Sequence, residues 1–323
     1  MMFRKGIISI IILAVLLLSV GCNTVKIDED FLCNWMQYLS DDVKIIDVVI
    51  PGSHDAGTKG LLMDMATQNS TIGEQLAKGV RYFDLRVKYN LDGKLAIYHG
   101  SLQTGVLFES VLNDIKSFIE AYPTEFLILD FQHFEIYPVE DLPILIIDVE
   151  AAIASALNPE AYALKKDVNL STLTMREIRT SGARYIVDWG REEPTTLAKN
   201  YIFRREDALY SPYEGDEHRE DWTRLLNYFP NYYAVNNNTR FFVLQSQPTG
   251  GDLEAFNDLY LADMNSYVDS LATNSELLSK TNIIMRDFTG ENPETVTAIL
   301  KLNLAKGTIK SDKIEMFTLN INN

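Results

Sequence analysis

The sequence is poor in cysteine, histidine, proline and positive charge, and each shortage excludes something. Two cysteines in 323 residues cannot staple a small secreted scaffold. Ten prolines and 17 glycines are too few for a collagen-like or low-complexity chain. No internal repeat points to a solenoid. Only 29 Lys and Arg stand against 45 Asp and Glu, a formal net charge of −16. That leaves no basic footprint for a general nucleic-acid binder or for broad attachment to anionic lipid. Any phosphate chemistry therefore has to rely on a few local cations. What is abundant is core material: 46% hydrophobic and 11% aromatic residues exclude a disordered chain. The length fits one large α/β barrel or two ordinary domains.

The one long apolar run is at the start. Arg4 and Lys5 precede an apolar run over 7–20, the pattern of an export signal and short of the roughly 20 residues of a membrane span. It ends in Leu18-Ser19-Val20-Gly21-Cys22, which resembles a bacterial lipoprotein signal with Cys22 as the lipidated residue. The alternative is an ordinary secretory peptide in which Cys22 is incidental. Lipidation would leave Cys33 unpaired, and loss of residues 1–21 would leave a formal charge of −18. The expected organisation is a signal over 1–21, a lipid-anchored tether and lead-in over 22–40, and one barrel domain over 41–323. The protein is expected to be monomeric and to sit in the cell envelope outside the cytoplasm.

Period and punctuation then give the fold class. Runs at 45–50, 81–87, 95–99, 125–131, 184–189, 240–245 and 282–288 read as strands. Their near-continuous hydrophobicity, as in Phe126-Leu127-Ile128-Leu129, suits strands covered on both faces. Helical spacing is expected over 106–122, 141–157, 253–271 and 293–304, and Thr71 to Glu74 has the spacing of a capping box. The alternation predicts an α/β protein, a single-domain, irregular or incomplete (β/α)8 barrel. Residues 192–239 are the least regular and read as a long insertion or rim loop. Within that region Trp222, Tyr228, Phe229, Tyr232 and Tyr233 would form either an apolar rim for a bilayer or packing beneath a loop.

Only four histidines are present: His54, His99, His133 and His218. Two of them end predicted strands, His54 after 48–53 and His99 after 95–98. A barrel collects reactive groups at the C-terminal ends of its strands, and two imidazoles there can share proton transfer near neutral pH. The alternative is a pair of hydrogen-bonded turn histidines. Between them, Asp84 and Arg86 are two apart on one strand and point to one side. If that side is the interior, Arg86 needs an anion, either a carboxylate or a substrate phosphate. His133 either touches substrate or closes a strand, and His218 reads as a solvated surface residue.

Five segments in order, IPGSHDAGT (50–58), TIGEQLAKGVRYFDLRV (71–87), LAIYHG (95–100), EFLILDFQHF (125–134) and NIIMRDF (282–288), resemble the X domain of phosphatidylinositol-specific phospholipase C. The likeness is to the single-domain bacterial enzymes and to the animal proteins that consist of an X domain alone. It implies His54 as general base, His99 as general acid, Arg86 as phosphate ligand, Asp55 as its neighbouring acid and Asp287 as the acid that orients the base. It also implies cleavage of phosphatidylinositol, or a glycosylated relative, to diacylglycerol and inositol 1,2-cyclic phosphate. Asp84, Gln132, His133 and Arg191 are the candidate substrate-binding residues. Signalling members of the family use calcium and have a carboxylate where Arg86 stands, so no metal and no cofactor are expected. Bacterial members have a lysine just after the strand, where this chain reads Asp130-Phe131-Gln132-His133, a form closer to the animal X-domain-only proteins. Rival readings are a glycerophosphodiester phosphodiesterase and a non-catalytic surface lipoprotein that binds inositol lipids.

Overall fold

The computed structural model describes residues 30–61, 65–134, 142–190, 196–213, 219–249 and 253–322. Cys22, Arg191, His218 and the whole predicted export signal lie outside the described residues. Ten strands form the sheet: β1 Ile50–Ser53, β2 Tyr82–Tyr89, β3 Leu95–His99, β4 Leu102–Leu107, β5 Leu127–Phe134, β6 Tyr185–Trp189, β7 Ile202–Arg204, β8 Leu209–Tyr210, β9 Phe241–Gln245 and β10 Ile283–Arg286. Eight of them run parallel in the order β7-β6-β5-β2-β1-β10-β9-β8. Between β7 and β8 no pairing is present among the described residues, so the barrel is curled but open there.

The side-chain layers explain the strand patterns. Ile50, Tyr82, Ile128, Ile186, Val243 and Ile283 belong to one buried cluster that fills the interior. Their neighbours Phe83, Leu127, Leu129, Phe131 and Val187 pack outward under the helices. Both faces are thus apolar, which is why the strands read as continuous hydrophobic runs. Gly52 is required where the strands meet, because a Cβ there would sit 3.0 Å from Ile283 and 3.0 Å from Tyr82. The base of the barrel is closed by the segment Phe31–Tyr38. Trp35 is fully buried and donates to the Gly79 carbonyl at 3.0 Å. Buried Arg81, paired with Glu125 at 2.9 Å, donates to the carbonyls of Leu32 and Cys33. Phe317 of the last helix, Ile314–Ile321, meets Phe31 and Tyr38 edge-on.

The helices follow expectation: Phe108–Ala121, Leu142–Leu157, Leu253–Leu271 and Pro293–Lys306, with Thr71 and Glu74 forming a complete capping box. Three expectations need correction. Residues 45–47 form a 3-10 turn, and the strand begins only at Ile50. The predicted strand at 95–99 is not a stave of the barrel, since β3 runs antiparallel to the upper part of β2 and then pairs with β4. The irregular region contributes β7, β8 and two short helices beside them, Thr196–Asn200 and Arg205–Ala208, so part of it is barrel wall. The aromatics at 222–233 are packing: Trp222, Phe229, Tyr232 and Tyr233 are all buried in one cluster with Phe242 and Leu244. No helix among the described residues is long and apolar enough to cross a membrane.

Candidate active site

The C-terminal ends of β1, β2, β5 and β10 deliver the polar groups. His54 and Asp55 follow β1 directly, Asp84 and Arg86 lie on β2, Gln132 on β5, and Asp287 follows β10. Each of the two chain reversals holds strain. Asp55 has φ +41° and Phe288, next to Asp287, has φ +52°. An aromatic residue in this left-handed region is an outlier that surrounding structure must enforce. That enforcement is visible: the Arg286 carbonyl accepts from His54 N at 3.1 Å, Gln68 Nε2 at 3.2 Å and Thr289 Oγ1 at 2.9 Å, while Phe288 N donates to the Thr67 carbonyl at 2.7 Å.

His54 is held from both sides. Its Nδ1 lies 2.7 Å from Asp287 Oδ1, and its Nε2 lies 3.4 Å from Asp55 Oδ2. His99 reaches the same Asp55 oxygen with Nε2 at 3.3 Å, while its Nδ1 donates to the Met65 carbonyl at 2.8 Å. Both imidazoles therefore stand no more than about 7 Å apart, with each Nε2 within hydrogen-bond reach of the space between them. The β3 strand brings His99 there by packing closely. Gly57, three residues after His54, has Ile97 where a Cβ would sit, at 2.8 Å.

Arg86 is the local cation. Its Nε lies 2.5 Å from Asp55 Oδ1, and its Nη2 lies 3.4 Å from Asp84 Oδ2 and 3.2 Å from Gln132 Oε1. The Asp55 oxygens accept no aligned hydrogen bond, so the carboxylate is held by charge and open to a donor. Burial works against the charged form of His54, but Asp55 and Asp287 outweigh it and raise its pKa. Burial raises Asp55, opposed by His54 and Arg86, while Asp84 is lowered because Arg86 and His54 overcome its burial. His54, Asp55 and Asp84 each offer an atom within 4.8 Å of the others, a trio that could hold a cation. The guanidinium of Arg86 already meets both of its carboxylates.

One group escaped the sequence reading. Asp84, Asp130 and Asp188 lie in register across β2, β5 and β6, a row of three buried carboxylates. Arg205, from the helix after β7, pairs with Asp130 through Nε at 2.9 Å and Nη2 at 3.0 Å, and Tyr82 donates to Asp130 at 2.7 Å. Burial, and next the negative charge of Asp130, push the Asp188 carboxyl well above its ordinary value, which favours its neutral form. Arg205 thus sets a cation beside this row of carboxylates from the helix after β7. Its only sequence signal was an Arg in a stretch too irregular to place. His133 is exposed, its pKa lowered by burial of part of its ring and by Arg86, and its ring lies outside the hydrogen bonds that join the other site residues.

Residues 45–135 match the family model described as the phosphatidylinositol-specific phospholipase C, X domain. Among curated proteins, a 1-phosphatidylinositol phosphodiesterase of Staphylococcus aureus is 31% identical over 104 residues, covering 31% of this chain and 33% of that protein. Another, from Listeria monocytogenes, is 34% identical over 102 residues, covering 29% and 31%. The human PI-PLC X domain-containing protein 2 is 30% identical over 124 residues, covering 38% of each. The matched segments thus span about a third of these relatives' lengths. The likeness of fold extends further. A phosphatidylinositol-specific phospholipase C structure from S. aureus superposes with TM-score 0.64 at 18% identity, covering 84% of this chain and 96% of that one. The L. monocytogenes structure gives TM-score 0.64 at 17% identity, covering 84% and 98%.

Proposed function

We propose that this chain, whose residues 45–135 match the X domain of phosphatidylinositol-specific phospholipase C, cleaves phosphatidylinositol, or a glycosylated relative, between phosphate and diacylglycerol. The observation that carries the reading is the convergence of His54 and His99 on one oxygen of Asp55, with Arg86 on the other. His54 takes the proton of the inositol 2-hydroxyl, whose oxygen attacks phosphorus within the same molecule. Asp287 holds the ring so that Nε2 faces the substrate. The guanidinium of Arg86 meets the charge that gathers on the phosphoryl oxygens, and Asp55 and Asp84 fix that guanidinium in place. His99 gives a proton to the departing glycerol oxygen. The products are diacylglycerol and inositol 1,2-cyclic phosphate.

Asp130, Asp188 and Arg205 present acceptor and donor groups to the ring hydroxyls, and Gln132 steadies Arg86. The step runs without a metal, because Arg86 supplies the positive charge. The His54, Asp55 and Asp84 trio is what favours the metal-dependent alternative, a glycerophosphodiester phosphodiesterase. For localisation, the proposal is export and lipid attachment through Cys22. Phosphorus NMR of the products from phosphatidylinositol vesicles tests the reaction. A cyclic phosphodiester signal formed in the presence of a chelator supports it, and glycerophosphoinositol or an absolute need for added metal refutes it.

A further inference from the structure

Four of the five aromatics singled out at 222–233 are buried and Tyr228 packs against them, so they offer no apolar rim, and a membrane-lipid substrate calls for another surface. The exposed apolar residues answer this. Leu91 is 100% exposed, Ile144 55% and Ile147 53%, and the fold gathers them on one side of the mouth. Strand β2 carries Arg86 and continues three residues, about 10 Å, to Tyr89, where the hairpin turn to β3 begins. The turn is rigid. Asn90 N donates to the Lys94 carbonyl at 2.8 Å, and Asn90 Oδ1 accepts from Asp92 N at 3.0 Å and Lys94 N at 2.9 Å. Leu91 is therefore presented by a built loop tip. Tyr89 donates to Asp148 at 2.6 Å, which fixes the hairpin against the helix Leu142–Leu157. That helix descends from the mouth, so Ile144 stands one turn, about 6 Å, above Asp148, and Ile147 adjoins it.

We propose that the hairpin tip at Leu91 and the helix face at Ile144 and Ile147 form the surface by which the mouth docks on a lipid bilayer. The proposal rests on reading the substrate as a membrane lipid. A tip sunk roughly 5–10 Å into the boundary of headgroups and acyl chains brings Arg86 to the level of lipid phosphates. Lys88, held over the Tyr98 ring at 4.7 Å, and Lys94 flank the turn where headgroups lie, with Asp92 the one acid within it. Contact must be apolar in the main, since the chain is strongly acidic overall. A second copy is the lesser fit. The patch amounts to about two fully exposed aliphatic residues, far below the roughly 20–30 residues a side of a stable protein interface.

The test uses added tryptophan in the full chain. The three native tryptophans, Trp35, Trp189 and Trp222, are buried at 0%, 1% and 4% exposure, which keeps background quenching low. Leu91→Trp, Ile147→Trp and, at the base of the barrel, Ile314→Trp are mixed with phosphatidylcholine vesicles that have brominated acyl chains and a minor fraction of phosphatidylinositol. Quenching at least about twofold greater at 91 and 147 than at 314 is expected, as for side chains at the membrane interface. Equal quenching at all three sites, or stronger quenching at 314, overturns the proposal. So does a sedimenting dimer that Leu91→Asn dissociates. Quenching is read without turnover, so inactivity toward phosphatidylinositol accompanied by quenching at 91 would sink the proposed reaction and leave docking intact.

Discussion

Replacement of Asp287 by Asn separates an orienting acid from a structural one. Asp287 Oδ1 lies 2.7 Å from His54 Nδ1 with both side chains nearly buried, at 2% and 12% exposure. The bond is charge-assisted once His54 has taken a proton, and such a bond contributes about 1.5–3 kcal/mol. At pH above the raised His54 value the imidazolium forms only as the reaction proceeds, so the loss falls on the transition state there: kcat/KM should drop roughly 10- to 150-fold, at about 1.4 kcal/mol per factor of ten. The substitution also removes one of the two acids that raise His54. The acidic limb of the kcat/KM profile, which reports deprotonation of the base, should then move to lower pH. Stability carries the same sign. A raised His54 contributes stability that is complete below its ordinary value of 6.5 and is lost as pH rises through the raised value. The melting-temperature advantage of wild type over Asp287→Asn should therefore grow from mildly alkaline to mildly acidic pH. Stopped-time assays of lipid turnover across pH, with calorimetry of both proteins, decide it. Unchanged kcat/KM, or a limb displaced upward, would refute the orienting role.

Three further outcomes follow from the geometry. Arg86→Lys keeps the charge but loses the planar fork that meets Asp55, Asp84 and Gln132 together; kcat should fall about 100- to 1,000-fold, and a change confined to KM would show that Arg86 serves binding alone. Burial favours the neutral form of Asp188, so Asp188→Asn should change unfolding free energy by less than about 1 kcal/mol, measured by urea denaturation. Asp130→Asn strips Arg205 of its counter-charge and should cost about 3–5 kcal/mol in the same assay; equal losses for the two variants would contradict the assigned charge states.

The readability of the sequence varied with how local the determining forces are. Runs such as Phe126-Leu127-Ile128-Leu129 announced β5 because both faces of the sheet are covered. The capping box at Thr71 and Glu74 was equally plain, since its bonds close within three residues. The direction of β3 was misread because a hydrophobic run specifies a strand and not its orientation. The Asp92-Gly93 pair, a hairpin signal, was the available cue. At three and two residues, β7 and β8 are too short to show periodicity, and with them Arg205 went unseen. His54 and Asp287 are separated by 233 positions. No pattern along the chain could join them, and only the resemblance to a family paired them in advance.

The central claim is that two histidines on either side of an arginine-bound phosphate cleave the lipid without a metal. Diacylglycerol release from phosphatidylinositol vesicles, measured in excess chelator for wild type, His54→Ala and His99→Ala, tests it most directly. The account predicts release by wild type and at least about a 100-fold loss in each variant. Release by either variant at the wild-type rate, or wild-type release that appears only when a divalent cation is restored, would contradict it.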